Sequence, residues 1–265
     1  MPHPWAMGGL AVLGLTVGTA VLTGTSFARS PGGCLVRRCG NVITPTMTPS
    51  VRRDDAHRRA PSLGEEVANS VSHGVGFLAA VAVTPLLVQA AARRGGTVEI
   101  VGALVFAGTV AVLYLASTLY HALPRNKAKH VFRIIDHSAI FLLIAGTYTP
   151  FTLGVLRGTS GWALLAVVWG LAVLGITLKS VSGIRYPRLS TGLYVGMGWL
   201  ALVAIRPLWP HVPVAGWLWL LAGGVAYTAG IAFYAAERVP YGHFVWHVFV
   251  LVGTACHCVA VLRYA

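Results

Sequence analysis

After Glu65 and Glu66 the sequence runs through seven apolar stretches, at about 67–92, 99–120, 132–156, 161–178, 189–207, 214–236 and 243–263. Each approaches the ~20 residues a helix needs to cross the hydrocarbon of a bilayer. Nothing else in the chain constrains the fold as strongly, because backbone in lipid must satisfy its own hydrogen bonds and runs of this length do so as α-helices. The expectation is an all-α membrane protein, a seven-transmembrane-helix bundle over residues 61–265. Composition agrees: 56% of residues are hydrophobic and only 10% charged, against roughly 25% charged in soluble domains.

The formal net charge of +13 would point to nucleic acid in a soluble protein. Here the cations fall mostly in short connections such as "ARRGGTVE", "HALPRNKAKH" and "KSVSGIRYPR". In such places Lys and Arg set topology and meet anionic headgroups. No nucleic-acid motif is present, so membrane lipids are the expected partners. Only Arg93, Arg94, Arg157, Arg206 and Arg263 fall on the side opposite the segment that precedes the first span, while Arg52, Arg53, Arg58, Arg125, Lys127, Lys129, Arg185 and others share its side. This asymmetry predicts a cytoplasmic N-terminus and an outside C-terminus for the bundle.

Residues 1–60 read as an N-terminal extension. "AMGGLAVLGLTVGTAVLTGTSFA" resembles an extra span or a signal-like apolar region, although no Lys or Arg precedes it. The Pro-, Gly-, Arg- and Thr-rich stretch that follows reads as a linker, and Met47 offers an alternative start. The cysteines give no CxxC pair, hence neither a disulfide framework nor a cysteine zinc site.

The informative residues are the polar ones inside apolar runs, since imidazoles and carboxylates are expensive in hydrocarbon and mark function there. In an alternating bundle the ends of even spans and the starts of odd spans share one membrane face. The second span ends "YLASTLYH", with Ser117 and His121 four apart on one helix face. The third begins "FRIIDHSAIF", carrying Asp136 about one turn inside, and the seventh begins "GHFVWHVF", with His243 and His247 again four apart. His73 falls at this face too, whereas His211 and His257 fall at the other; His257 lies ~15 Å along the axis from His247.

Three imidazoles and a carboxylate from three helices suffice to ligate a transition metal, and an i, i+4 histidine pair is a natural chelate. Each member also has a plainer reading. His243 opens its span as an interfacial residue; His247 fits as a satisfied structural histidine; Asp136 fits as half of an ion pair with Arg133 or His121; Ser117 fits as a donor to the carbonyl one turn back. His137 should point roughly 100° away from Asp136 and stay outside the ligand set. His73 is either a donor behind the ligands or interfacial packing. His257 has no functional reading.

The blocks "EEVANSVSHGVG", "STLYH", "RIIDHSAIFLLIAGTYTPF" and "GHFVWHVFVLVGTACH" stand in order from Glu65 to the C-terminus. Together they resemble the signature blocks of the hemolysin III group of the progestin and adipoQ receptor family, which includes the adiponectin receptors. The resemblance implies a seven-helix bundle with its N-terminus in the cytoplasm. It also implies a Zn2+ ion held by His121, His243 and His247, with Asp136 holding the zinc-bound water and Ser117 beside the first ligand. The related alkaline ceramidases use a similar constellation to hydrolyse a lipid amide.

One expectation is therefore a zinc-dependent hydrolase of acyl lipids in the plasma membrane, concerned with membrane lipid homeostasis, whose substrate enters laterally between helices. A second is a non-enzymatic, receptor-like or homeostasis protein with structural zinc. A third is a pore-forming cytolysin, for which no span offers a continuous polar stripe. A metal or proton transporter would need a polar relay through the opposite half as well.

Overall fold

The computed structural model describes residues 59–265 apart from Ile184 and Glu237. The expected extension over 1–60 lies outside the described residues except for its last two positions. Among the described residues the structure is helical without strands: α1 (Leu63–Arg94), α2 (Thr97–Ala122), α3 (Lys127–Pro150), α4 (Gly158–Ser182), α5 (Pro187–Trp199), α6 (Ala201–Leu208), α7 (Val214–Ala235) and α8 (Gly242–Tyr264), with a π-helical turn at Phe151–Leu156. Seven segments are long and apolar enough to cross a membrane, the third being α3 with its π turn and the fifth α5 with the start of α6. The protein is thus a seven-helix, multi-pass membrane protein.

The helices overrun the apolar stretches at their polar ends. Ser62 caps α1 through a capping box in which its hydroxyl takes the Glu65 N–H while the Glu65 carboxylate takes the Ser62 N–H at 2.7 Å. Asn126 caps α3 by accepting the Lys129 N–H at 2.9 Å. Because α3 starts at Lys127 instead of near Phe132, Asp136 stands about two and a half turns into its helix rather than one. The fifth span is interrupted at Leu200, after a stretch carrying Gly192, Gly196 and Gly198, which weakens the helix. There the Tyr148 hydroxyl meets the carbonyls of Met197 and Gly198, each at 2.9 Å. At the end of α3, Pro150 has no N–H to give, and the chain widens into the π turn.

Without a hydrophobic drive between helices in lipid, association relies on close approach of small residues. Helix α1 packs against α2 and α8, α2 against α3, and α7 against α8. A Cβ on Gly76 of α1 would meet Leu251 of α8 at 2.6 Å and Tyr114 of α2 at 3.1 Å, so this glycine lets three helices converge. A Cβ on Gly102 would lie 2.9 Å from the Pro150 backbone, which fixes how closely α2 and α3 run. Phe106, Val110, Leu113 and Val250 fill the core between them. The consequence for chemistry is that the starts of α1, α3 and α8 and the end of α2 lie side by side.

Candidate metal centre

His121 occupies the last turn of α2 and is buried, one turn beyond the fully buried Ser117. The other two histidines depend on where α8 begins. Tyr241 adopts a left-handed conformation (φ 56°) just before the helix, and its N–H donates to the Glu65 carboxylate at 2.8 Å. The carboxylate that completes the capping box of the first span therefore also holds the turn into the last one. From this start His243 and His247 follow one turn apart, half-buried and buried respectively.

One nitrogen from each of His121, His243 and His247 lies within 4.8 Å of the others, close enough to hold a single metal ion. The rings stand 4.7 to 5.2 Å apart between centroids and none is parallel to another. Hydrogen bonds on the outer side orient two of them. The His121 Nδ1–H donates to Glu66 Oε2 at 2.7 Å. The His247 Nδ1 lies 3.1 Å from the Asn69 carbonyl and 3.2 Å from Ser72 Oγ, so it carries its proton toward α1. In both rings Nε2 is left with its lone pair free, and that of His121 is buried with no hydrogen-bond partner. Ligating histidines are commonly held in this way by a carboxylate or backbone carbonyl, which fixes tautomer and ring direction. Three imidazoles, each with one nitrogen within 4.8 Å of the others, fit the donor set of a first-row transition metal.

The sequence brought Ser117, His121, Asp136, His243 and His247 to one face, and the structure places them there. Asp136 is buried, with His121, Ser117 and Arg133 as its polar neighbours. Ser117 Oγ makes no hydrogen bond of ordinary geometry. Asp136 is not among the atoms that converge within 4.8 Å. His137 is outside the converging set, as expected, but has not turned fully from its neighbour: its Nδ1–H donates to the Arg133 carbonyl at 2.8 Å and lies 3.5 Å from Asp136 Oδ2. His73 lies flat against His247, centroids 3.6 Å apart and planes 6° from parallel, and also meets the Tyr114 ring at a tilt; it buttresses the His247 ring. His257 stands apart, directed at the Leu220 carbonyl of α7 at 3.2 Å.

Glu66, Asn69 and Ser72 are the members that the sequence reading passed over. Their signal was present: Glu66, Asn69 and His73 follow one another at helical spacing of three and four, at the start of an odd span and hence at the face of the cluster. Glu66 is the busiest of them. While Oε2 holds His121, Oε1 accepts from Lys129 Nζ at 3.0 Å, and Lys129 also lies over the Tyr120 ring.

Fold and site together define a class: a multi-pass membrane protein with seven helices and a buried three-histidine centre at one end. The profile described as Haemolysin-III related matches residues 62–258, and the chain belongs to that family. It is 43% identical over 203 residues to the Hemolysin-3 homolog of Bacillus subtilis, covering 77% of this chain and 95% of that one. With Hemolysin-3 of Bacillus cereus it shares 44% identity over 200 residues, 76% of this chain and 91% of the relative. A more distant relative is the human Monocyte to macrophage differentiation factor, 24% identical over 217 residues, 78% and 87% of the two chains.

Proposed function

We propose that His121, His243 and His247 hold zinc and that the protein is a zinc-dependent hydrolase of acyl lipids, working near the cytoplasmic face of the plasma membrane. The observation that carries this reading is the set of three imidazoles converging within 4.8 Å, with Asp136 and Ser117 beside His121. Zinc in such a site supplies a Lewis acid and makes water nucleophilic near neutral pH. The Asp136 carboxylate takes a proton from the attacking water and returns it to the departing amine or alcohol as the acyl bond breaks. Ser117 Oγ, free of any other well-formed hydrogen bond, donates to the oxyanion. Glu66 and the Asn69 carbonyl keep two rings in the ligating tautomer. The substrate is an amphiphile that arrives laterally, with its polar linkage at the level of His243, the least buried of the three histidines.

The test joins metal analysis to turnover. Purified protein should contain stoichiometric zinc and release fatty acid from members of a panel of ceramides and other acyl lipids. Asp136→Asn should keep fold and zinc but lose about 100-fold or more of the turnover. The second reading, a structural metal in a homeostasis or receptor-like protein, draws on the absence of Asp136 from the converging atoms. It requires zinc without turnover and an Asp136→Asn variant that keeps the cellular phenotype.

A further inference from the structure

On the outer side of Glu66 lies a second feature, an open cavity of about 440 Å3 between the start of α1 and the start of α3. Its walls include Tyr120, Arg125, Asn126, Lys129, His130 and Arg133, and Glu66 is its one acid. That carboxylate is already engaged twice, by His121 and by Lys129. Among the described residues neither Arg125 nor Arg133 forms an ion pair. Arg133 feels the nearby Asp136 without pairing to it, and its Nε is buried with no hydrogen-bond partner. The cavity thus gathers more guanidinium and ammonium charge than its acid neutralises, in a concave space beside the amide-rich first turn of α3.

We propose that this cavity is a binding site for a phosphate-bearing anion, linked to the histidine cluster through Glu66. Planar guanidinium forks match phosphate oxygens two at a time. Arg125 supplies one fork from the α2–α3 connection and Arg133 another from α3, with Lys129 between them as a point charge. The N-terminal end of the α3 dipole adds a favourable field at the same rim, although Asn126 already takes the Lys129 N–H. The phosphate belongs either to a lipid headgroup or to a soluble ion; both present the same oxygens. The link arises because Lys129 and His121 share one carboxylate. An anion that draws Lys129 toward itself leaves more of the Glu66 charge on His121, and a cation among the histidines attracts the anion in return. Such coupling is reciprocal. The link rests on the zinc reading above; the anion site does not.

Binding is measured first on EDTA-treated protein, so that it stands apart from the metal. In phosphatidylcholine nanodiscs holding a minority of phosphatidylglycerol, native mass spectrometry should find the anionic lipid retained by the wild type. Retention by Arg125→Gln/Arg133→Gln should fall about tenfold or more. Arg125→Gln alone, at an exposed connection, should show part of the loss even if the double variant is unstable. The control Lys127→Gln/Arg185→Gln removes equal charge from the same end, outside the cavity, and should change little. Millimolar inorganic phosphate that displaces the lipid identifies a soluble source; failure to displace identifies a headgroup site. Equal retention by wild type and double variant, or an equal loss in the control, overturns the site. Reloading with zinc should tighten anion binding about fivefold or more, and Glu66→Gln should abolish that gain. Identical anion affinity with and without bound zinc overturns the link. A protein that takes up no zinc yet selects the anion in this pattern would sink the zinc reading and leave the site standing.

Discussion

The two ends of the bundle carry similar residues and use them in opposite ways. At the end where α1, α3 and α8 begin, His121, His243 and His247 face one another, with proton-bearing nitrogens turned outward to Glu66 and Asn69. At the other end the polar groups close on backbone. Arg94 donates to the Leu262 carbonyl and, at 3.3 Å, to that of Val261, which also accepts the Ala265 N–H, so it closes over the end of α8. His257 directs Nε2 at the Leu220 carbonyl, and its ring lies where a Cβ on Gly223 would stand. Glu99 pairs with Arg157 and accepts the Gly96 N–H at 2.7 Å. A buried histidine is thus a tie to backbone at one end and a member of a cluster able to hold an ion at the other, according to what stands opposite its second nitrogen.

The sharpest way to break this contrast is to remove a ligand. His247→Ala should abolish stoichiometric metal, measured by inductively coupled plasma mass spectrometry, while His257→Ala keeps it. Equal metal loss in both would mean that the two ends do not differ. Next in size is Glu66→Gln, which leaves the three ligands but weakens the grip on His121; zinc affinity should fall about 10- to 100-fold in competition with a chelating dye. A smaller effect is expected at the opposite end. Arg94→Ala should cost about 1 kcal/mol, since the guanidinium is partly exposed, and should appear as lower thermal stability with metal content unchanged. His257→Phe should be smallest, about 1 kcal/mol or less, because the ring volume is kept against Gly223 and one hydrogen bond is lost.

Much of this was legible beforehand because lipid leaves few options. Apolar length alone gives seven helices, and alternation alone sorts Ser117, His121, Asp136, His243 and His247 to one end and His257 to the other. What the sequence hid were relations between side chains of different helices. Glu66 reads as an acidic residue in the first turn of a helix, a common place for one. Only packing of α1 against α2 shows its carboxylate on His121. His73 was similarly ambiguous, since nothing in its own helix announces that it will lie flat against His247. The start of the third helix, and with it the position of Asp136 along that helix, was hidden for a different reason. Hydropathy marks where lipid begins, whereas the helix begins where Asn126 caps it, and α3 carries Lys127, Lys129 and His130 before its apolar part.

The grip of Glu65 on the Tyr241 N–H has a consequence for how such a protein is made. The chain leaves the ribosome from its N-terminus, so α1, α2 and α3 are in the membrane while α8 is still being synthesised. His121 then has its orienting carboxylate but lacks both other imidazoles. Only when the last span inserts and Tyr241 docks on the first helix do His243 and His247 reach their height. The three imidazoles therefore converge only once all seven spans have been threaded, so the cluster is complete only in the finished bundle.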